Sequence, residues 1–191
     1  MNDALDASEI EDVRAALANR LSRSRFAHVE RVATIAGHLA DLWDLDPEPV
    51  LRAAWLHDCA RELSRAEQRA LILPSRWEEA ADLGWHGPAG AVVSWQHFGE
   101  TDRSVLDAIK YHSVPQPDAS VLTTLIFVAD KLDAGPTQLK STLDRLPARC
   151  ADPDQALLCA IETRLREHIE RRRPLLRQDV AAHALLLKRL G

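Results

Sequence analysis

Six side chains of metal-ligand type sit at the ends or along the inner faces of apolar stripes in this sequence: His28, His57, Asp58, His86, His112 and Asp130. The dipeptide His57-Asp58 carries little weight alone, since a chain with eight histidines yields such a pair by chance. Its setting carries more. Val50, Ala54, His57, Asp58 and Arg61 are spaced so that one continuous helix turns all five toward a single, otherwise apolar face. A buried carboxylate needs a cation, and the plainest partner for Asp58 is Arg61, one turn further on.

Four other segments repeat the pattern. His28 precedes Val32, Ile35 and Leu39 on one stripe, and His112 follows Val105, Ala108 and Ile109. Asp130 ends the stripe that begins Leu122-Ile126, and His86 stands at the threshold of a helix opened by Gly87-Pro88. A lone inward histidine is ordinarily a satisfied core residue. Six such groups on five segments ask for one shared explanation, a divalent-metal site. Imidazole and carboxylate without thiolate suit iron, manganese or zinc. Six ligands exceed what one tetrahedral ion takes, which points to two ions bridged by a carboxylate, with Asp58 the natural bridge. Sites of that kind serve metal-assisted hydrolysis.

The elements that must position these groups all read as helices. The first runs from a cap at Asp6 or Ser8 to about Leu21, and Ser24 caps the next, which ends near Trp43. Asp46-Pro47 opens a helix continuing through His57 to Leu63, and Ser64 opens another. Further helices start at Gly87-Pro88 and Thr101-Asp102; the loop Ser113–Ser120 follows, then a helix over Val121–Leu132. Asp152-Pro153 opens a long amphipathic helix to about Arg173, stopped by Pro174, and a last helix closes the chain. The expectation is an all-α bundle of about ten helices, one domain over 1–191, with a core over about 25–132 and a helical extension over 136–191.

Composition bounds the function classes. The 191 residues are 46% hydrophobic and 28% charged, an ordinary globular balance. The formal net charge of -5 disfavours nucleic acid as a partner, so a phosphate ligand needs a local cationic pocket. Three cysteines without CxxC spacing argue against a disulfide framework and a thiolate zinc site. An acidic N-terminus without a signal sequence, and the lack of any long apolar run, predict a cytoplasmic chain that does not enter a membrane. Oligomeric state leaves no trace in the sequence.

Other candidates read as structural. His97 lies near the His86 face but at its helix end; His38, His168 and His183 read as surface; Arg171-Arg172-Arg173 suits a helix C-terminus. Cys59 reads as a packing residue, and Glu62 as a surface pair or an orienter of Arg61. The five tryptophans read as core or near-core, with Trp85 beside His86 an alternative base-stacking residue.

The segments R-F-A-H at 25–28, L-H-D-C-A-R at 56–61, H-G-P-A-G-A at 86–91, A-I-K-Y-H at 108–112 and A-D-K at 129–131 resemble the HD-domain phosphohydrolases in order and spacing. More narrowly they resemble the bacterial symmetrical diadenosine tetraphosphate hydrolases of YqeK type. The resemblance implies one metal held by His28, His57, Asp58 and Asp130, and a second held by His86 and His112 with Asp58 shared. It implies that Asp58, Arg61 and Lys131 carry catalysis, that Arg25, Arg61 and Lys131 bind the substrate's phosphates, and that iron or manganese fills the centre. A dinucleoside polyphosphate is the implied substrate. Two departures stand out: His112-Ser113-Val114-Pro115 where the family reads H-T-T-G, and Asp133-Ala134-Gly135-Pro136-Thr137 where it has an acidic-proline-x-arginine turn. An arginine expected near the phosphates is therefore missing. The departures keep other HD activities open (a nucleotidase, an alarmone pyrophosphohydrolase, a phosphodiesterase), and beside them a non-catalytic nucleotide or metal sensor.

Overall fold

A computed structural model describes the backbone of residues 7–191 and the side chains from residue 10 onward, except 82 and 83. Among the described residues the elements are helices: α1 (Ala7–Arg20), α2 (Arg23–Leu42), α3 (Pro47–Leu56), α4 (Arg65–Leu71), α5 (Trp77–Leu83), α6 (His86–Phe98), α7 (Arg103–Tyr111), α8 (Val121–Leu132), α9 (Leu139–Leu143), α10 (Leu146–Arg149), α11 (Pro153–Glu170) and α12 (Arg177–Leu190), with a 3-10 turn at Pro74–Arg76. Ten of the twelve run to seven residues or more, as the all-α reading expects. No described helix is long and apolar enough to cross a membrane.

Capping chemistry sets most starts. The side chains of Asp46, Asp102 and Asp152 accept from backbone N–H groups of their helices, and Ser64 forms a reciprocal capping box with Glu67. The caps Asp6 and Ser8 expected for α1 lie outside the described side chains. For α2 the expected cap Ser24 is wrong: Ser22 takes the extended cap conformation and its Oγ accepts from Arg25 N. Glu62 fixes that choice from forty residues away, accepting from both Ser22 N and Ser22 Oγ at 2.6 Å. Glu62 therefore anchors the start of α2 rather than orienting Arg61.

Helix α3 stops at Leu56 instead of running to Leu63 as its spacing predicts. Beyond it Cys59 N donates to Leu56 O, Arg61 N to Asp58 O and Leu63 N to Ala60 O, each spanning three residues, a tight turn rather than a helix. His57 and Asp58 are still buried, but Arg61 is exposed and does not share their face. At the other end α11 finishes at Glu170, and Arg172 takes a left-handed conformation before Pro174.

The core forms where α2 packs on α3 and α8, α7 packs on α3, α6 and α8, and α11 joins α8 to α12. Val32, Ile35 and Leu39 meet Val50, Ala54, Ile109, Leu125, Ile126 and Leu157, all 1% exposed or less. Burying each of the larger side chains is worth about 1.5–3 kcal/mol. Helix α8 is buried from Thr123 through Ala129, as befits the helix at the middle of a bundle, so its β-branched residues are tolerated without a strand partner. Trp43, Trp55, Trp77 and Trp85 are half-buried, but Trp95 is 57% exposed, against expectation. The reason lies in α6, which turns its small face of Gly87, Gly90 and Ser94 inward and leaves Trp95 outside.

Candidate metal centre

Two of the predicted ligands occupy equivalent places in the fold. His57 is the C-cap of α3 and His112 the C-cap of α7. A helix end leaves its last carbonyls without intrahelical partners. Each ring uses one, with His57 Nδ1 2.7 Å from Ala54 O and His112 Nδ1 2.7 Å from Ile109 O. A carbonyl only accepts, so both Nδ1 atoms carry the proton and both Nε2 atoms offer a lone pair inward.

His28 is aimed by a different device. Its Nδ1 lies 2.8 Å from Asp133 Oδ2, and Asp133 is gripped by Arg31 through Nε at 2.7 Å and Nη2 at 2.8 Å. Asp133 is the C-cap of α8, three residues after Asp130, and that spacing is the one sequence signal for this pair. His28 Nε2 then faces Asp130 Oδ1 at 3.2 Å and Asp58 Oδ2 at 3.7 Å. The Nε2 atoms of His28 and His57 are buried and make no hydrogen bond. Such orphaned lone pairs are costly unless a cation meets them.

The ligand atoms fall into two groups, each close enough to hold an ion: His28, His57 and Asp130, and Asp58, His86 and His112. Asp58, 3% exposed, joins the groups. Its Oδ2 is 3.7 Å from the Nε2 atoms of both His28 and His57, and its Oδ1 is 3.6 Å from those of both His86 and His112. All six predicted ligands thus converge, and their donor set fits divalent ions that favour imidazole and carboxylate.

The protonation pattern agrees. Burial pushes His57 down to about 4 and holds His86 far below the ordinary imidazole value, so both rings are neutral and ligand-competent. His28 goes the other way: burial would lower it, but the Asp130 carboxylate beside Nε2 and the Asp133 carboxylate on Nδ1 outweigh burial and raise it to about 9. A cation at its Nε2, proton or metal, is what those carboxylates ask for. Burial would raise Asp58 and Asp130 as well. Neighbouring positive charge and hydrogen bonds win, and both carboxyls stay ionised.

The three cations of the sequence reading each touch a ligand. Arg25 Nη1 donates to Asp58 Oδ2 at 2.8 Å, and Lys131 Nζ pairs with Asp130 Oδ2. The partner of Asp58 is therefore Arg25, not Arg61. Arg61 lies with Nη1 2.9 Å from His86 Nδ1. His112 Nε2 offers a lone pair 3.1 Å from His86 Nε2, so the neutral His86 ring carries its proton on Nε2, which also lies 2.9 Å from Ser113 Oγ and 3.3 Å from Arg61 Nη1. Holding a metal through Nε2 requires the other tautomer and the release of Arg61.

Residues set aside in the sequence fall elsewhere. His97 lines a cavity of about 680 Å³ with Arg20, Arg52, Trp55 and Phe98, away from the ligands. Trp85 is faced by the guanidinium groups of Arg65 and Arg69, at 4.8 and 5.4 Å from its ring centroid. His38 is exposed; His168 and His183 are half-buried, with His168 Nδ1 on Pro174 O. Cys59 is buried as a small packing residue.

An all-helical scaffold carrying a histidine–aspartate centre defines a class of metal-dependent hydrolases. The family model for the HD domain matches residues 25–135, and the chain belongs to that family. It is an HD phosphohydrolase. It is 29% identical over 127 residues to the symmetrical bis(5'-nucleosyl)-tetraphosphatase of Bacillus subtilis, covering 64% of this chain and 68% of the relative. It is 31% identical over 134 residues to the protein of the same name from Staphylococcus aureus, covering 67% and 68%. A crystal structure from Clostridium acetobutylicum, described as a predicted HD superfamily hydrolase involved in NAD metabolism, superposes with a TM-score of 0.75. It is 26% identical and covers 94% of this chain and 97% of that one.

Proposed function

We propose that this HD phosphohydrolase holds two divalent ions, iron or manganese, and splits diadenosine tetraphosphate symmetrically into two ADP. The observation that carries the reading is Asp58, which offers one carboxylate oxygen to each histidine pair. His28, His57 and Asp130 would hold one ion, His86 and His112 the other, with Asp58 shared. Such ions supply Lewis-acid chemistry, activating water and neutralising phosphate charge.

The chain's own contribution is positioning and charge. Ala54 O, Ile109 O and Asp133 fix three imidazole rings in the tautomer that presents Nε2. Arg25, Arg61 and Lys131 already touch ligand side chains, so each head group lies within reach of a phosphate beside the centre, Arg61 with a guanidinium able to bind it in bidentate fashion. Phosphoryl transfer needs placement and electrostatic stabilisation above all, and no protein nucleophile is required. The relatives' names supply the substrate.

The test is a product analysis with Mn(II) or Fe(II) and a panel of dinucleoside polyphosphates, deoxynucleoside triphosphates and cyclic dinucleotides. ADP as the sole product from diadenosine tetraphosphate, abolished by Asp58→Ala in a folded protein, supports the proposal. ATP plus AMP overturns the symmetrical cleavage, and faster turnover of another member of the panel overturns the substrate assignment. The absence of an arginine from the turn after Asp133 is the specific reason to include the rival substrates.

A further inference from the structure

The two halves of the centre are braced differently, and only one brace lies within the matched segment 25–135. His28 is set by the Asp133–Arg31 pair. The His86–His112 half is held through the backbone just after His112, at Ser113, whose Oγ lies 2.9 Å from His86 Nε2 and 3.2 Å from His112 Nε2 and would give those two atoms up to an ion. Ser113 follows the C-cap of α7, where backbone carbonyls lack helical partners. Its carbonyl oxygen accepts from Arg164 Nη1 of α11 at 2.7 Å.

Arg164 is itself braced. Its Nε lies 3.1 Å from Asp179 Oδ2, in the first turn of α12, and their side chains are 16% and 1% exposed. Both Asp179 oxygens are buried without a geometrically good hydrogen bond. A carboxylate buried on those terms destabilises a fold unless a charge compensates it. Arg164 supplies that charge, and the ion pair keeps its guanidinium beside the first turn of α12.

We infer that Arg164 and Asp179 are positioning residues for the second half of the metal centre: Asp179 aims Arg164, and Arg164 fixes the Ser113 backbone beside His86 and His112. The inference rests on the two-ion reading above. It assigns the C-terminal helices α11 and α12 a part in the site, and it makes the two metal positions separable by mutation. Loss of Arg164 weakens the ion at His86 and His112 and spares the ion at His28, His57 and Asp130. Asp133→Asn does the reverse.

The experiment is a metal titration of the full chain with Mn(II), followed by calorimetry and by elemental analysis after desalting. Wild type binds two ions. Arg164→Ala retains one with wild-type affinity and holds the other about 10–100-fold more weakly, the range typical when a ligand's supporting contact is lost. Arg164→Lys, which keeps one donor for the Ser113 carbonyl, recovers part of that loss. Should Arg164→Ala leave Asp179 unpaired and unfold the chain, Arg164→Met combined with Asp179→Leu removes both charges and gives the same readout. A folded variant that binds both ions as wild type does, or loses both equally, overturns the inference. Wild type binding fewer than two ions overturns the two-ion reading, and the inference with it.

Discussion

Gly87→Ala tests how closely the site depends on the approach of α6 to α7. A Cβ built on Gly87 would stand 2.5 Å from Lys110 O and 3.3 Å from Lys110 C, both backbone atoms of the helix end that carries His112. Carbon and carbonyl oxygen settle at about 3.3 Å or more, so the helices must part by about 0.8 Å. No flexible side chain can absorb the shift. Overpacking of this kind costs about 1–3 kcal/mol. For a chain of this size each kcal/mol lowers Tm by about 2–4 °C, so the middle of that range gives roughly 4–8 °C. The functional cost is larger than the stability cost. His86 is the residue before Gly87, and its Nε2 stands 3.1 Å from His112 Nε2 across the gap that opens. A displacement of about 0.8 Å exceeds the roughly 0.5 Å that a coordinating site tolerates. Thermal unfolding followed by circular dichroism, paired with Mn(II) titration, reads both effects. An unchanged Tm together with wild-type metal affinity would refute the reasoning.

Gly37→Ala is the control. Gly37 lies inside α2 and its Cβ would meet Leu51 Cδ2 of α3 at an ordinary 4.0 Å, so the gain in helix propensity of about 1 kcal/mol should appear as a higher Tm; a lower Tm counts against the packing described. Asp102→Ala should cost about 1 kcal/mol at neutral pH by removing the α7 cap. Hydrogen bonds from Ser104, opposed by slight burial, hold the Asp102 carboxyl below its ordinary value. A depressed carboxyl contributes stability above the unfolded pKa and loses it as pH falls through the folded one. The gap between wild type and Asp102→Ala in urea unfolding should therefore shrink on acidification below about pH 4, and a gap constant with pH would contradict the assignment. Burial pushes the Cys59 thiol up to about 12 and Cys150 up to about 11, whereas Cys159 is half-buried. A thiol reagent should label Cys159 first in the native chain; rapid labelling of Cys59 would mean the turn after α3 opens readily.

The six converging side chains were legible because each ends or interrupts an apolar stripe, and stripes survive in sequence whatever the tertiary detail. His28 and Asp130 needed only the helical period. His57 and Asp58 were found by a less secure route, since the helix assumed to carry them stops at Leu56. They reach the interior because α3 delivers His57 as its C-cap and the turn turns Asp58 inward. The same turn sends Arg61 outward to His86, which one-face spacing could not foresee. Ser22 and Ser24 offer identical capping chemistry, and Glu62 breaks the tie. Trp95 was misplaced for the converse reason: bulk suggested burial, but α6 packs by its glycines.

What local pattern could not supply is the layer that aims the ligands. Ala54 O and Ile109 O are backbone atoms, so no side chain marks their role. Arg31, Arg164 and Asp179 look in sequence like surface charges on amphipathic helices and Asp133 like a turn residue, and only the packing of α2 on α8 and of α11 on α12 reveals them as pairs. The division follows from the physics. A ligand must sit at the end of an apolar stripe to be buried, which fixes its place in the helical period. A positioning charge need only reach a ligand from any neighbouring element, which leaves its place in the chain unconstrained. The pairs that hold His28 and Ser113 accordingly span 102 residues for Arg31 to Asp133 and 51 for Arg164 to Ser113. Loss of the Arg164 guanidinium alone, remote from every one of the six side chains in sequence, should therefore act on one half of the centre before it acts on the fold.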